Sequence, residues 1–176
     1  MIRRFLILGL ALAALPSGKA AEPKASQPVP VLLEKANVLP LALDDTFEFR
    51  KQKLFLNDPD IQKPTNDRMI NFERLRLNYG AVSAEEQKQR YGHYLSFWWR
   101  ATRPANVTVR LEYRQANLGN HVQAQEVSYA VGKGTHQTDF KVIGDSYIGD
   151  GVITAWRALV IEDGKIVALK QSYLWH

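Results

Sequence analysis

Two β-rich runs separated by Asp163-Gly164 end the chain, in "VITAWRALVIEDGKIVALKQSYLW" over residues 152–175. Asp-Gly between alternating apolar runs signals a two-residue type I′ hairpin, because both turn positions must adopt positive φ. The turn sets the register. It predicts Trp156, Ala158, Val160, Val167, Leu169 and Tyr173 on one face and Ile153, Leu159, Ile161, Ile166 and Leu174 on the other. A strand pair that is apolar on both faces must be covered on both, so it belongs inside a layered structure. The expected cover for the second face is the amino-terminal segment or another subunit.

Most of the chain from Phe47 onward follows the same period of two. In "NVTVRLEYR", Val107, Val109, Leu111 and Tyr113 alternate with Thr108, Arg110, Glu112 and Arg114, as in a half-buried strand. "FEFR", "KLFLN" and "THQTDFKVIGDSY" read as further strands, the last following a Gly132-Lys133-Gly134 turn. "INFERLRLNY" reads as a strand whose alternation slips near Glu73-Arg74, and "HVQAQEVSYAV" as one that slips near Gln125-Glu126; a bulge accounts for such a slip. Ser83-Ala84-Glu85-Glu86 has the form of a capping box and predicts one or two helical turns.

The expected fold is all-β: an immunoglobulin/fibronectin-III-like antiparallel β-sandwich of about seven to nine strands with at most one short helical turn. "FWWRATRPANVTVRLEYR", residues 97–114, resembles the paired strands of fibronectin type III modules, where a Trp on one strand packs near a Tyr on the next. The resemblance concerns packing and implies no function.

Arg3 and Arg4, the eleven-residue run "FLILGLALAAL" and the small residues ending at Ala20 have the order of a secretory signal. Eleven residues make a helix of roughly 16 Å, about half the hydrocarbon thickness of a bilayer, so a membrane anchor is the weaker reading. The expected organisation is a signal peptide over 1–20, a Pro/Ala-rich tether over 21–41 and a β-sandwich domain over 42–176, exported to the periplasm or the extracellular space. No integral membrane segment then remains after signal removal. Cleavage takes Arg3, Arg4 and Lys19 from the 23 basic residues and none of the 18 acidic ones, leaving a net charge of +2. No basic cluster survives to track phosphates, so nucleic acid is not an expected partner. The absence of cysteine excludes disulfides, thiolate metal sites and a cysteine nucleophile.

Chemical motifs are sparse. His93, His121, His136 and His176 lack the spacing of a local metal site. The acids of "GDSYIGDG" do not fit a calcium loop and read as turn chemistry. Ser146 is followed by Tyr147, not by the Gly of a nucleophile elbow. No catalytic residue, cofactor or metal is expected, and the chain reads as a non-catalytic module with a binding or structural role, its ligand and partner left open by the sequence, with a glycan or an envelope protein as the candidates. The alternative is a carbohydrate-binding module using exposed aromatics; a small outer-membrane β-barrel fits less well, since few segments supply the required apolar bands.

The candidate ligand surface comes from "YGHYLSFWWRAT", residues 91–102. Alternation places Leu95, Phe97 and Trp99 inward and leaves Tyr94, Ser96 and Trp98 outward. A hairpin at 102–106 would set Trp98 opposite Arg110 and Tyr94 opposite Arg114, each ring under a guanidinium. A crossing between sheets at Arg103-Pro104 would part them and leave Trp98 to the amino-terminal segment or to a ligand.

Overall fold

The computed structural model describes residues 28–61 and 64–175; the proposed signal and the first residues of the tether lie outside them. Eight strands are found among the described residues: β1 (Val31–Leu33), β2 (Phe47–Asn57), β3 (Gly92–Ala101), β4 (Ala105–Gln115), β5 (Gln123–Val131), β6 (Gly134–Ile143), β7 (Ile153–Glu162) and β8 (Lys165–Gln171). They form two antiparallel sheets, in the orders β1-β5-β4-β7-β8 and β2-β3-β6. The α-helices among the described residues are α1 (Arg68–Asn78), α2 (Ala84–Lys88) and α3 (Asp145–Asp150), and a 3-10 turn spans Ala116–Leu118.

Strict alternation on the central strands builds the layer between the sheets. Leu95, Phe97, Trp99 and Ala101 of β3 meet Val107, Val109, Leu111 and Tyr113 of β4, with Phe140, Trp156, Ala158 and Val160 filling between them. The Trp99 indole N–H donates to Thr138 Oγ1 at 3.0 Å, so this buried ring leaves no polar atom unmatched. The chain crosses between the sheets at residues 102–104. Two antiparallel sheets stacked on one layer of side chains make an all-β sandwich.

The closing hairpin forms with Asp163 at φ 49° and Gly164 at φ 71°, as a type I′ turn requires. Its outer face is covered by the amino-terminal segment. β1 pairs with β5 at one edge of the large sheet, and near the other edge Ala42 N–H donates to the Ile166 carbonyl and Asp44 N–H to that of Val167, both at 2.9 Å. Between these anchors the chain passes over the sheet, and Leu39 packs on Leu159, Ile161 and Ile166. Residues 31–41 are therefore part of the fold, not a tether.

The structure departs from the sequence reading at five places. "INFERLRLNY" belongs to helix α1, so the helical content exceeds one short turn. Its start is set by Asp67, whose carboxylate accepts from the backbone N–H of Met69 at 2.8 Å and of Ile70 at 3.3 Å. Second, Val160 pairs with Ala168 and Ile161 with Ile166, leaving Val167 as a bulge; both Val167 and Ala168 then enter the core, and Leu169 moves to the outer face opposite Leu159. Third, a bulge at Thr154, between the pairs Arg114–Ala155 and Gln115–Ile153, turns Ile153 inward. Fourth, β5 has no bulge at Gln125-Glu126: its pairing with β4 is continuous from Val131 to Gln123, and Ala124 is buried on the outer face, opposite Glu112. Last, Tyr173, assigned to the face of Trp156 by the hairpin register, is 94% exposed beyond the end of β8. The capping box holds, with Glu86 N–H donating to Ser83 Oγ at 3.1 Å and Ser83 N–H to Glu86 Oε2 at 2.9 Å.

Candidate functional site

The outer face of the small sheet carries Tyr94, Ser96 and Trp98 from β3, flanked by Lys51 and Lys53 of β2 and by Gln137, Asp139 and Lys141 of β6. Strand pairing alone assembles this row, since each flanking residue lies in register with a β3 partner. A rise of about 3.3 Å per residue spaces the Cα atoms of Tyr94 and Trp98 by roughly 13 Å, with Ser96 between them.

α1 lies over one side of this face on polar contacts. Glu73 pairs with Lys53 from the sheet and with Arg76 at 2.8 Å, and Asn78 Oδ1 accepts from Asn57 Nδ2 at 3.0 Å. The guanidinium of Arg90 donates to the carbonyl of Leu77 at 3.1 Å and to that of Tyr79, satisfying the helix carboxyl end. The Lys53 hydrogen bond holds the Glu73 carboxyl below its usual range, with Arg76 adding to the effect.

Between helix and sheet runs a groove of about 360 Å³ lined by Tyr94, Ser96, Trp98, Gln137, Asp139 and Arg76, among others. Asp139 and Lys141 also border a second hollow, of about 410 Å³, walled by Pro28, Val29, Pro30 and Leu32. Trp98 is half-buried, with Lys51 Nζ 5.2 Å from the centre of its ring. The Tyr94 hydroxyl donates to the Arg90 carbonyl at 2.9 Å, and burial pushes its pKa up, so the phenol stays neutral. Asp139 accepts from Gln137 Nε2 at 2.9 and 3.0 Å. The groove thus offers an indole, a phenol ring, an amide, a hydroxyl and a carboxylate, a set suited to stacking and hydrogen bonding.

Of the residues singled out in the sequence, Tyr94 and Trp98 share this groove, whereas Arg110 and Arg114 lie on β4 of the other sheet. The crossing at Arg103-Pro104 separates them, so neither guanidinium covers Trp98 or Tyr94. Arg110 is buried beneath the amino-terminal segment, where it pairs with Glu126 and donates to the Asn37 carbonyl at 2.9 Å. Glu112, also buried, accepts from Arg157 Nε at 2.6 Å and lies 3.4 Å from Arg110 Nη1. Arg114 and Arg157 both lie against Trp175, at 4.9 and 5.0 Å from its ring centre. Lys53, Gln137 and Asp139 escaped the sequence reading because only the pairing of β2 and β6 with β3 brings them beside Trp98.

A second set of titratable groups sits where β2 ends and β3 begins. Tyr147 of α3 donates its hydroxyl to Asp58 Oδ2 at 2.6 Å, and its ring lies 5.7 Å from that of His93. His93 Nε2 accepts from the backbone N–H of Ile153 at 2.9 Å, which assigns the ring proton to Nδ1. Burial pulls the His93 pKa down to about 4, against the smaller opposing pull of Asp58, and burial followed by the Asp58 hydrogen bond pushes that of Tyr147 up. Among the described residues no group of three or more His, Cys, Asp or Glu side chains comes together as a metal ion would require.

The His93 shift makes the fold acid-sensitive. The ring is neutral when folded and protonates on unfolding, so its contribution is complete above the ordinary histidine pKa and is lost as pH falls from about 6.5 toward 4. The full loss is about 3 kcal/mol. His93→Gln, whose amide oxygen can take the Ile153 N–H, should lack this component. Urea unfolding at a series of pH values should therefore show wild type losing its margin over the variant on acidification, whereas parallel curves would refute the assignment.

Comparison with known protein families, with curated proteins and with solved structures found no match to this chain.

Proposed function

We propose that the chain is an exported, non-catalytic binding module, immunoglobulin-like in its layering, that takes its ligand in the groove between α1 and the outer face of β2-β3-β6. The observation that carries this reading is Trp98: a half-buried indole that its own fold covers only in part, with Tyr94 beside it on the same face and polar side chains around both. A glycan is the ligand class that uses all of these groups, since sugar rings stack on aromatic faces while their hydroxyls need donors and acceptors. The amino-terminal order of arginines, apolar run and small residues supports export.

Trp98→Ala tests the proposal. Binding to a glycan panel should fall at least tenfold, on the order of the 1.4 kcal/mol that one lost aromatic contact represents. Stability should change by no more than about 1 kcal/mol, because the ring is only half-buried. Failure of the parent protein to bind any glycan, with a large drop in the variant's melting temperature, would make Trp98 a structural residue.

A further inference from the structure

α1 turns an apolar, positively charged face to solvent. Met69, Phe72 and Leu75 are 71%, 59% and 74% exposed, and Tyr79 continues the row at 85%. At 100° per residue these side chains share one side of the helix, and the same side carries Arg68 and Arg76, both exposed. The opposite side bears Ile70 and Leu77, half-buried toward the sheet. The helix contains one carboxylate, Glu73; it is turned inward, 13% exposed, and neutralised by Lys53 and Arg76. No acidic side chain of α1 therefore faces outward.

Exposed apolar residues on a packed surface helix carry a solvation cost that burial elsewhere would relieve. A second copy of this chain is a poor cover. Two such faces laid together bring Arg68 and Arg76 of each helix against the same charges on the other, and the exposed carboxylate next to them, Asp67, is engaged in capping its own helix. The face instead has the composition of an interfacial helix: large apolar side chains that enter the acyl boundary, a tyrosine at headgroup level and arginines that reach anionic headgroups.

We infer that α1 docks the protein on an anionic lipid bilayer, with Met69, Phe72 and Leu75 inserted and Arg68 and Arg76 on lipid phosphates. The contact is peripheral, and no described helix is long and apolar enough to cross a membrane. Met69, Phe72 and Leu75 lie away from the side of α1 that turns toward the sheet, whereas Arg76 stands at the rim of the groove, so the docked face and the groove adjoin at that residue.

Flotation with vesicles of equal parts phosphatidylglycerol and phosphatidylcholine, against pure phosphatidylcholine vesicles, tests the inference. The intact protein should float with the anionic vesicles at low salt and not with the zwitterionic ones. Arg68→Glu with Arg76→Glu should weaken the association at least about 30-fold, since each surface arginine contributes on the order of a fivefold gain. Phe72→Ser with Leu75→Ser should abolish it. The chain has no cysteine, so Leu75→Cys accepts a single environment-sensitive dye, whose emission should shift to the blue on addition of anionic vesicles. This readout does not depend on the stability of the double variants. The inference is overturned by no flotation at low salt, by flotation that survives both double variants, by a dye that does not shift, or by a concentration-dependent dimer that Phe72→Ser with Leu75→Ser dissolves.

Discussion

Trp156→Ala is expected to lower the free energy of unfolding by about 3 to 5 kcal/mol. The ring is 6% exposed and packs 5.2 Å from that of Phe97, at the point where the two sheets face each other. Ala158, the neighbour of Trp156 on the same face of β7, is too small to close the space left behind. The expected loss is the transfer free energy of an indole plus a cavity term. Equilibrium denaturation at neutral pH measures it, and Trp98→Ala on the far side of the small sheet supplies the contrast. A loss below about 1 kcal/mol at Trp156 would mean that the layers do not meet there.

Glu112→Ala should be comparably damaging, by about 3 to 5 kcal/mol, for an electrostatic reason. The Glu112 carboxylate is 3% exposed and takes hydrogen bonds from Arg157 and Arg110. Its removal leaves the Arg110 guanidinium, 8% exposed, with Glu126 and a single backbone carbonyl in a place that water hardly reaches. Arg157, 34% exposed, can turn to solvent; Arg110 cannot. The paired change Arg110→Met with Glu112→Leu should recover most of the loss, because an apolar pair of similar volume has no charge to desolvate. Urea midpoints of the single and double variants decide the matter. A double variant no more stable than the single one would show that the network contributes through geometry and not through charge.

Legibility in the sequence followed the strength of local signals. β4 and the Asp163-Gly164 hairpin were legible because a continuous period of two and a turn with strict φ demands leave little choice. α1 was not. Ile70, Phe72, Leu75 and Leu77 suit an interrupted strand as well as a helix, and the helix keeps apolar side chains on both its sheet side and its solvent side, which blurs the period of 3.6. The decisive clue was Asp67 acting as amino-terminal cap, a short polar residue inside a loop already rich in such residues. The bulges at Thr154 and Val167 are set by pairing with β4 and β7, so a one-residue slip reversed the faces assigned to Ile153 and Leu169. At the candidate site, the outward direction of Tyr94 and Trp98 follows from alternation, while the side chains around them come from strands distant in sequence.

The segment over residues 31–44 joins strands that lie far from it in the sequence. β1 needs β5, and residues 40–44 need β8, which follows much later along the chain. Contacts of such sequence separation carry a large loop-closure entropy and form late. During synthesis residues 31–33 must therefore wait for β5, and residues 40–44 longer still, until β8 has emerged. Until then the outer face of β7 and β8 and the β8 edge of the large sheet are bare, the state in which such a chain is most open to self-association. The segment thus acts as a timer as well as a cover: the sandwich is complete only when residues 40–44 have met β8.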